Sequence, residues 1–144
     1  MITKRERLER LGKTRLFSDL SGNDLRHIVD VSGMQTYDEG ETVIRQGESG
    51  VGFQLILDGE AKVVRNGRTL AKLGPDDFFG EMALIDEGPR SATIVAASPL
   101  TTLNIASWDF RPLVKRRPEM AWKLLVHLTG RLREEQTSRD ELRA

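Results

Sequence analysis

Between residues 79 and 93 the chain reads Phe-Gly-Glu-Met-Ala-Leu-Ile-Asp-Glu-Gly-Pro-Arg-Ser-Ala-Thr, and no other stretch gathers so many residues suited to holding a polar small molecule. Gly80 has no Cβ, so a ligand or a second backbone can approach it closely. Glu81, Met82, Ala83 and Leu84 favour a helical turn, whose start exposes unpaired N–H groups that suit an anion. Gly88-Pro89 turns the chain back. Arg90 follows with a planar fork of donors matched to two phosphate oxygens, and Ser91 adds a hydroxyl. An acid, a permanent cation and a short helical turn facing one point describe a pocket for a small sugar phosphate.

Such residues face one point only if a rigid frame holds them. Residues 92–97 read as a buried strand, one of the short extended runs that fall at 34–37, 42–45, 53–57, 61–64, 69–73, 92–96 and 100–105. Asp38-Glu39-Gly40, Gln46-Gly47, Asp58-Gly59 and Asn66-Gly67 separate them as turns do. Many short strands with regular turn signals predict a sandwich or barrel, so the fold class is mainly β with flanking helices. At the front, residues 3–11 have helical composition with Leu8 and Leu11 on one face. Ser21 reads as the N-cap of a second helix over 22–31, with Leu25, Ile28 and Val31 at helical spacing. At the back, Ser107 reads as an N-cap with Asp109 in the first turn of a helix to about Lys115. Pro118 suits the first position of a last helix with an apolar stripe of Ala121, Leu124, Leu125, Leu128 and Leu132. Gly130 interrupts it at a cost of about 1 kcal/mol. Residues 133–143 are almost wholly polar and fit either a solvated helical tail or a frayed end.

Composition removes several classes of function. A chain of 144 residues is expected to be one domain burying roughly 70% of its unfolded surface. Its 22 basic and 22 acidic residues cancel, which argues against a general nucleic-acid binder. Without cysteine there are no disulfides, iron–sulfur clusters or thiolate metal sites. The N-terminus is too charged for a signal peptide and no apolar run spans a bilayer, so the expected location is the cytoplasm, away from membranes. His27 and His127, both in expected helices, are poor material for a jelly-roll metal centre or for nucleophilic catalysis. No metal, cofactor or enzymatic activity is expected. Gly47, Gly50 and Gly52 lack a following Gly-Lys-Ser/Thr, so they read as turn residues and not as a nucleotide loop.

Phe79-Gly80-Glu81-Met82-Ala83-Leu84 followed by Pro89-Arg90-Ser91-Ala92-Thr93 resembles the phosphate-binding cassette of the cyclic-nucleotide-binding domains, the family of the catabolite activator, the protein kinase A regulatory subunit and bacterial cyclic-nucleotide-gated channels. Two halves at the family's spacing make a strong signal where either alone would be weak. The resemblance implies an antiparallel jelly-roll β-barrel over 34–106, with the cassette at 79–93, N-terminal helices over 1–33 and a C-terminal helical lid over 107–144. It implies a non-catalytic sensor whose last helix closes over a bound base and signals to an unidentified protein effector. The ligand expected is a cyclic nucleotide, cAMP ahead of cGMP, because serine at position 91 resembles the cAMP-favouring bacterial domains. A degenerate domain serving only as an interaction module is the competing reading.

By the same resemblance Gly80, Glu81, Met82, Ala83, Arg90, Ser91, Val63 and Arg131 form the binding site. Glu81 accepts a hydrogen bond from the ribose 2′-hydroxyl, and Arg90 grips the exocyclic phosphate oxygens with help from the N–H groups of Ala83 and Ser91. Val63 and Met82 are apolar walls for the base, a role that core packing explains nearly as well. Arg131 sits where channel-type domains stack an arginine on the base, although exposed helical arginines are common. In the empty state Arg90 has an alternative, an ion pair with Asp86 or Glu87. Thr137-Ser138 falls about two residues too late to match the catabolite activator's paired hydroxyls. Because Glu135 and Arg139 hold the next seam positions after Leu132, a monomer or weak dimer is expected. Since the chain stops at Ala144 with no helix-turn-helix, DNA binding is not expected.

Overall fold

Alternation governs the chain from Gly33 onward, because successive side chains of a strand point to opposite faces. The computed structural model describes residues 2–49, 52–86 and 88–143, with side chains as far as Thr137. Its strands are β1 (Gly33–Tyr37), β2 (Thr42–Ile44), β3 (Gly52–Asp58), β4 (Ala61–Arg65), β5 (Arg68–Leu73), β6 (Phe78–Phe79), β7 (Thr93–Ala96) and β8 (Leu100–Ala106). All pair antiparallel, in two four-stranded sheets ordered β1-β8-β3-β6 and β2-β7-β4-β5. This is the expected jelly roll, built as a two-sheet roll and not as a barrel closed by hydrogen bonds.

Four helices flank the roll: α1 (Lys4–Gly12), α2 (Gly22–Val31), α3 (Ser107–Arg116) and α4 (Pro118–Arg143). Ser21 caps α2 by accepting from the Asp24 amide at 3.1 Å, as its position predicts, and Thr3 caps α1 likewise. Helices pack on the first sheet through Leu11, Phe17, Ile28, Phe53, Leu55, Leu103, Phe110 and Met120. Phe17 meets Phe53 edge-on with ring centroids 5.3 Å apart. A smaller core of Ile56, Phe79, Ile94, Ala96 and Leu100 lies apart from it. On β3, Phe53, Leu55 and Leu57 join the first core while Ile56 joins the second, the period of two expressed as packing.

Three expectations change. Ser107 is not an N-cap: Ala106 holds that position without a side-chain bond, and Ser107 is the buried first residue of α3. The stripe on α4 is displaced, since Leu125 and Leu132 are exposed while Met120 and Leu124 are buried. Helical spacing continues that side of the helix through half-buried His127 to the exposed Arg131, which pairs with Glu81, so the helix is aimed by partners that a hydrophobic pattern does not weight. Gly52 is a strand residue, not a turn residue: a Cβ there would lie 2.0 Å from the Ile105 carbonyl oxygen across the β3–β8 pair. Gly50 and Glu87 lie outside the described residues.

Candidate functional site

Arg90 is positioned first by its backbone. Its N–H donates to the Glu48 carbonyl and its own carbonyl accepts from the Gly47 N–H, each at 2.9 Å, while Ser49 bridges to Pro89. Gly47, at φ +84°, makes the turn that offers both partners. One residue pair further on, the Gln46 N–H donates to Thr93 Oγ1 at 2.9 Å. The Arg90 side chain then donates from Nη2 to the Gly52 carbonyl at 2.8 Å, and its Nε is buried without a partner. Burial lowers its pKa from the usual arginine value, but a guanidinium stays cationic near neutrality. Gly80 explains itself here. It sits at φ +83°, and a Cβ would come within 2.3 Å of the Gly52 carbonyl oxygen and 2.6 Å of Arg90 Nη1.

From Gly80 the chain enters a single 3-10 turn, Glu81–Leu84, anchored by buried Ala83 and Leu84. The Ala83 N–H donates to the Gly80 carbonyl at 3.1 Å, so the turn itself uses the donor expected for phosphate. Glu81 is buried, and its carboxylate forms an ion pair with Arg131, which reaches it from α4. Ser91 is exposed, and its carbonyl accepts from Arg65 Nε at 2.9 Å. Half-buried Val63 on β4 and exposed Met82 complete the expected set. All eight, Val63, Gly80, Glu81, Met82, Ala83, Arg90, Ser91 and Arg131, line one cavity of about 380 Å³, within the range of small-molecule pockets.

Of the two alternative partners for Arg90, Asp86 instead accepts from the Gly88 N–H at 3.0 Å, and Glu87 lies outside the described residues. Sequence reasoning missed Arg65, Ile44 and Phe78, which line the same cavity, and the Gly52 carbonyl that holds Arg90. Arg65 carries one readable signal. It ends the strand before the Asn66-Gly67 turn, and the pairing of Val64 with Thr93 brings it beside Ser91. That pairing is long-range, and local pattern does not show it. Thr137 bonds back to the Arg133 carbonyl at 3.0 Å, as exposed helical threonines do, and the Ser138 side chain lies outside the described residues. His27 contacts Arg117 and His127 packs over Phe78; among the described residues no three potential ligands cluster to hold a metal. No helix among them is long and apolar enough to cross a membrane.

Comparison with known proteins identifies the family. The sequence is 35% identical over 124 residues to the cyclic AMP receptor protein of Thermus thermophilus, covering 83% of this chain and 57% of that protein. It is 33% identical over 96 residues to a cGMP-dependent protein kinase of Plasmodium berghei, covering 67% of this chain and 11% of the kinase. The chain thus spans somewhat more than half of the length of the first relative and about a tenth of the second. Among solved structures, the N-terminal domain of a transcriptional regulator from Streptomyces coelicolor superposes with a TM-score of 0.80 at 30% identity, covering 90% of this chain and 94% of that one. The sequence pattern of the cyclic nucleotide-binding domain matches residues 34–117, more than half of the chain. The chain therefore belongs to the cyclic nucleotide-binding domain family.

Proposed function

We propose that the chain is a non-catalytic sensor of a 3′,5′-cyclic nucleotide, with cAMP preferred to cGMP, and that residues 1–144 act as one domain. One observation carries the reading: Glu81, the first residue of the 3-10 turn, and Arg90 line the same cavity. Glu81 takes the ribose 2′-hydroxyl. An ionised carboxylate has about four acceptor sites, so it can keep Arg131 while accepting that hydroxyl. Arg90 takes the exocyclic phosphate oxygens with donors that Gly52 leaves unused. Ser91 stands at the rim as a further donor, and Val63 and Met82 flank the base. Arg131 links the lid to the sugar.

Signalling follows from that link. A nucleotide that touches both Glu81 and the lid binds the closed arrangement of α4 better than an open one, so it shifts the population towards closure. The receiver is a protein effector, the site of action is the cytoplasm, and the chain works as a monomer or weak dimer. Thermal denaturation tests the reading. A ligand at about 100 times its dissociation constant adds about 2.7 kcal/mol, which raises the melting temperature of a domain this size by roughly 5–10 °C. The expected order is cAMP, then cGMP, with 5′-AMP giving no shift. A larger shift with cGMP reassigns the preference through Ser91, and no shift with either nucleotide leaves the interaction-module reading.

A further inference from the structure

Three arginines line the proposed nucleotide cavity, and two are already engaged: Arg131 pairs with Glu81, and Arg90 bonds the Gly52 carbonyl. The third is Arg65, the last residue of β4. An exposed arginine before a turn normally trails in solvent, because holding a long side chain in one geometry costs rotamer freedom. Arg65 is held from three directions. The pairing of Val64 with Thr93 fixes the strand before it. After it, the Gln46 amide bonds Asn66 twice, with Nε2 donating to Asn66 Oδ1 and Oε1 accepting from the Asn66 N–H, each at 3.2 Å. Its own Nε donates to the Ser91 carbonyl at 2.9 Å.

That bond leaves the donors of both terminal nitrogens without a partner among the described residues. Neither acid of the described cavity wall pairs with it, since Glu81 holds Arg131 and Asp86 accepts from the Gly88 N–H. Side chains alternate along a strand, so Val63 and Arg65 share a face of β4 roughly 7 Å apart. Both line the cavity, and Arg65 thus extends the wall that Val63 begins. A guanidinium donates and never accepts, so it chooses among bases by their acceptors. N7 is the ring acceptor that adenine and guanine share on the edge turned away from the sugar, where cytosine presents an amino donor.

We propose that Arg65 bonds N7 of the bound base and makes the site selective for purine over pyrimidine cyclic nucleotides. The proposal rests on the nucleotide reading, in which Val63 flanks the base, and extends it from phosphate and sugar to the base itself. Because Arg65 is anchored on the residue after Arg90, base readout and phosphate grip share one stretch of backbone. The choice between cAMP and cGMP is a separate matter, since both carry N7.

Calorimetric titration of the full chain with cAMP, 7-deaza-cAMP and cCMP tests it, on the wild type and on Arg65→Ala. The wild type should bind cAMP about tenfold more tightly than 7-deaza-cAMP, in which a C–H replaces N7, and should bind cCMP no better than 7-deaza-cAMP. Arg65→Ala should lose about tenfold for cAMP and less than about twofold for 7-deaza-cAMP, so that the two ligands become nearly equal. An equal loss for both ligands reduces Arg65 to a clasp on the cassette and overturns the proposal. A wild type that binds 7-deaza-cAMP or cCMP as tightly as cAMP overturns it without recourse to the variant. Failure of the wild type to bind any of the three would overturn the nucleotide reading, and this proposal with it.

Discussion

The two sides of the cavity proposed for the nucleotide are built in different ways. On the phosphate side, Arg90 is fixed by two backbone bonds to the 46–49 turn, by its own bond to the Gly52 carbonyl, and by a glycine that leaves room for its guanidinium. On the lid side, a half-exposed Arg131 reaches Glu81 from a helix whose neighbouring Leu125, Val126 and Leu132 are exposed. One side is over-determined by short-range bonds within a sheet framework. Among the described residues the other hangs on that ion pair, a bond from Lys123 to the Asp19 carbonyl and a narrow buried face. Under the proposed function the rigid half would recognise the ligand, and the loose half, being the part free to move, would report binding.

Mutation should expose that asymmetry. Arg90→Ala has the largest expected effect on binding, a loss of about 2–4 kcal/mol or roughly 30- to 1000-fold in cAMP affinity by calorimetry. Its melting temperature should hardly move, because the backbone bonds that place residue 90 remain. Glu81→Ala should follow at roughly 10- to 100-fold, the cost of one charge-assisted bond. It should also abolish the discrimination between cAMP and 2′-deoxy-cAMP expected of the wild type; discrimination persisting in the variant removes the 2′-hydroxyl from Glu81. Arg131→Ala should cost at most about tenfold, since the pair is partly exposed and such pairs are worth about 1 kcal/mol or less. Hydrogen exchange should nonetheless show faster opening of α4, and unaltered exchange would separate Arg131 from lid closure.

The smallest effect is one of pH. His127 lies on the buried face of α4, over the Phe78 ring with centroids 6.4 Å apart, and its Nε2 has no partner. Burial, and after it the charge of Arg15, lowers its pKa below the ordinary 6.5, while Glu134 opposes the shift. A group with a depressed folded-state pKa contributes stability that is present above about pH 6.5 and is lost as pH falls towards the folded value. Docking of the lid, and with it cAMP affinity, should therefore weaken modestly on acidification below about pH 6.5. His127→Leu should flatten that profile. An equal acid dependence in this variant would place the titration elsewhere.

What the sequence made legible follows the same division. Features set by near neighbours were readable. Ser21 caps α2, Pro118 opens α4, and the glycines of the Asp58-Gly59 and Asn66-Gly67 turns adopt φ of +90° and +78°. The cassette was readable because its halves lie within one short stretch, whereas Arg131, expected from the resemblance to stack on a base, pairs with Glu81. Features set by distant partners were not. Strand β6 is only Phe78–Phe79 and exists because β3 pairs with it, so no alternation could show it. The buried stripe of α4 missed its mark because His127 and Arg131, polar by type, lie on the face where Phe78 and Glu81 meet the helix. Ser107 has a cap's chemistry, but the strand before it runs on to Ala106 in pairing with Gly52, which moves the helix start by one residue.

A crystal structure of the complex with cAMP tests the central claim most directly. The account predicts the cyclic phosphate within hydrogen-bonding distance of the Arg90 guanidinium and the ribose 2′-hydroxyl on the Glu81 carboxylate, beneath Arg131. Nucleotide seated away from the Gly80–Ser91 cavity, or bound there with Arg90 engaging only the Gly52 carbonyl, would contradict it.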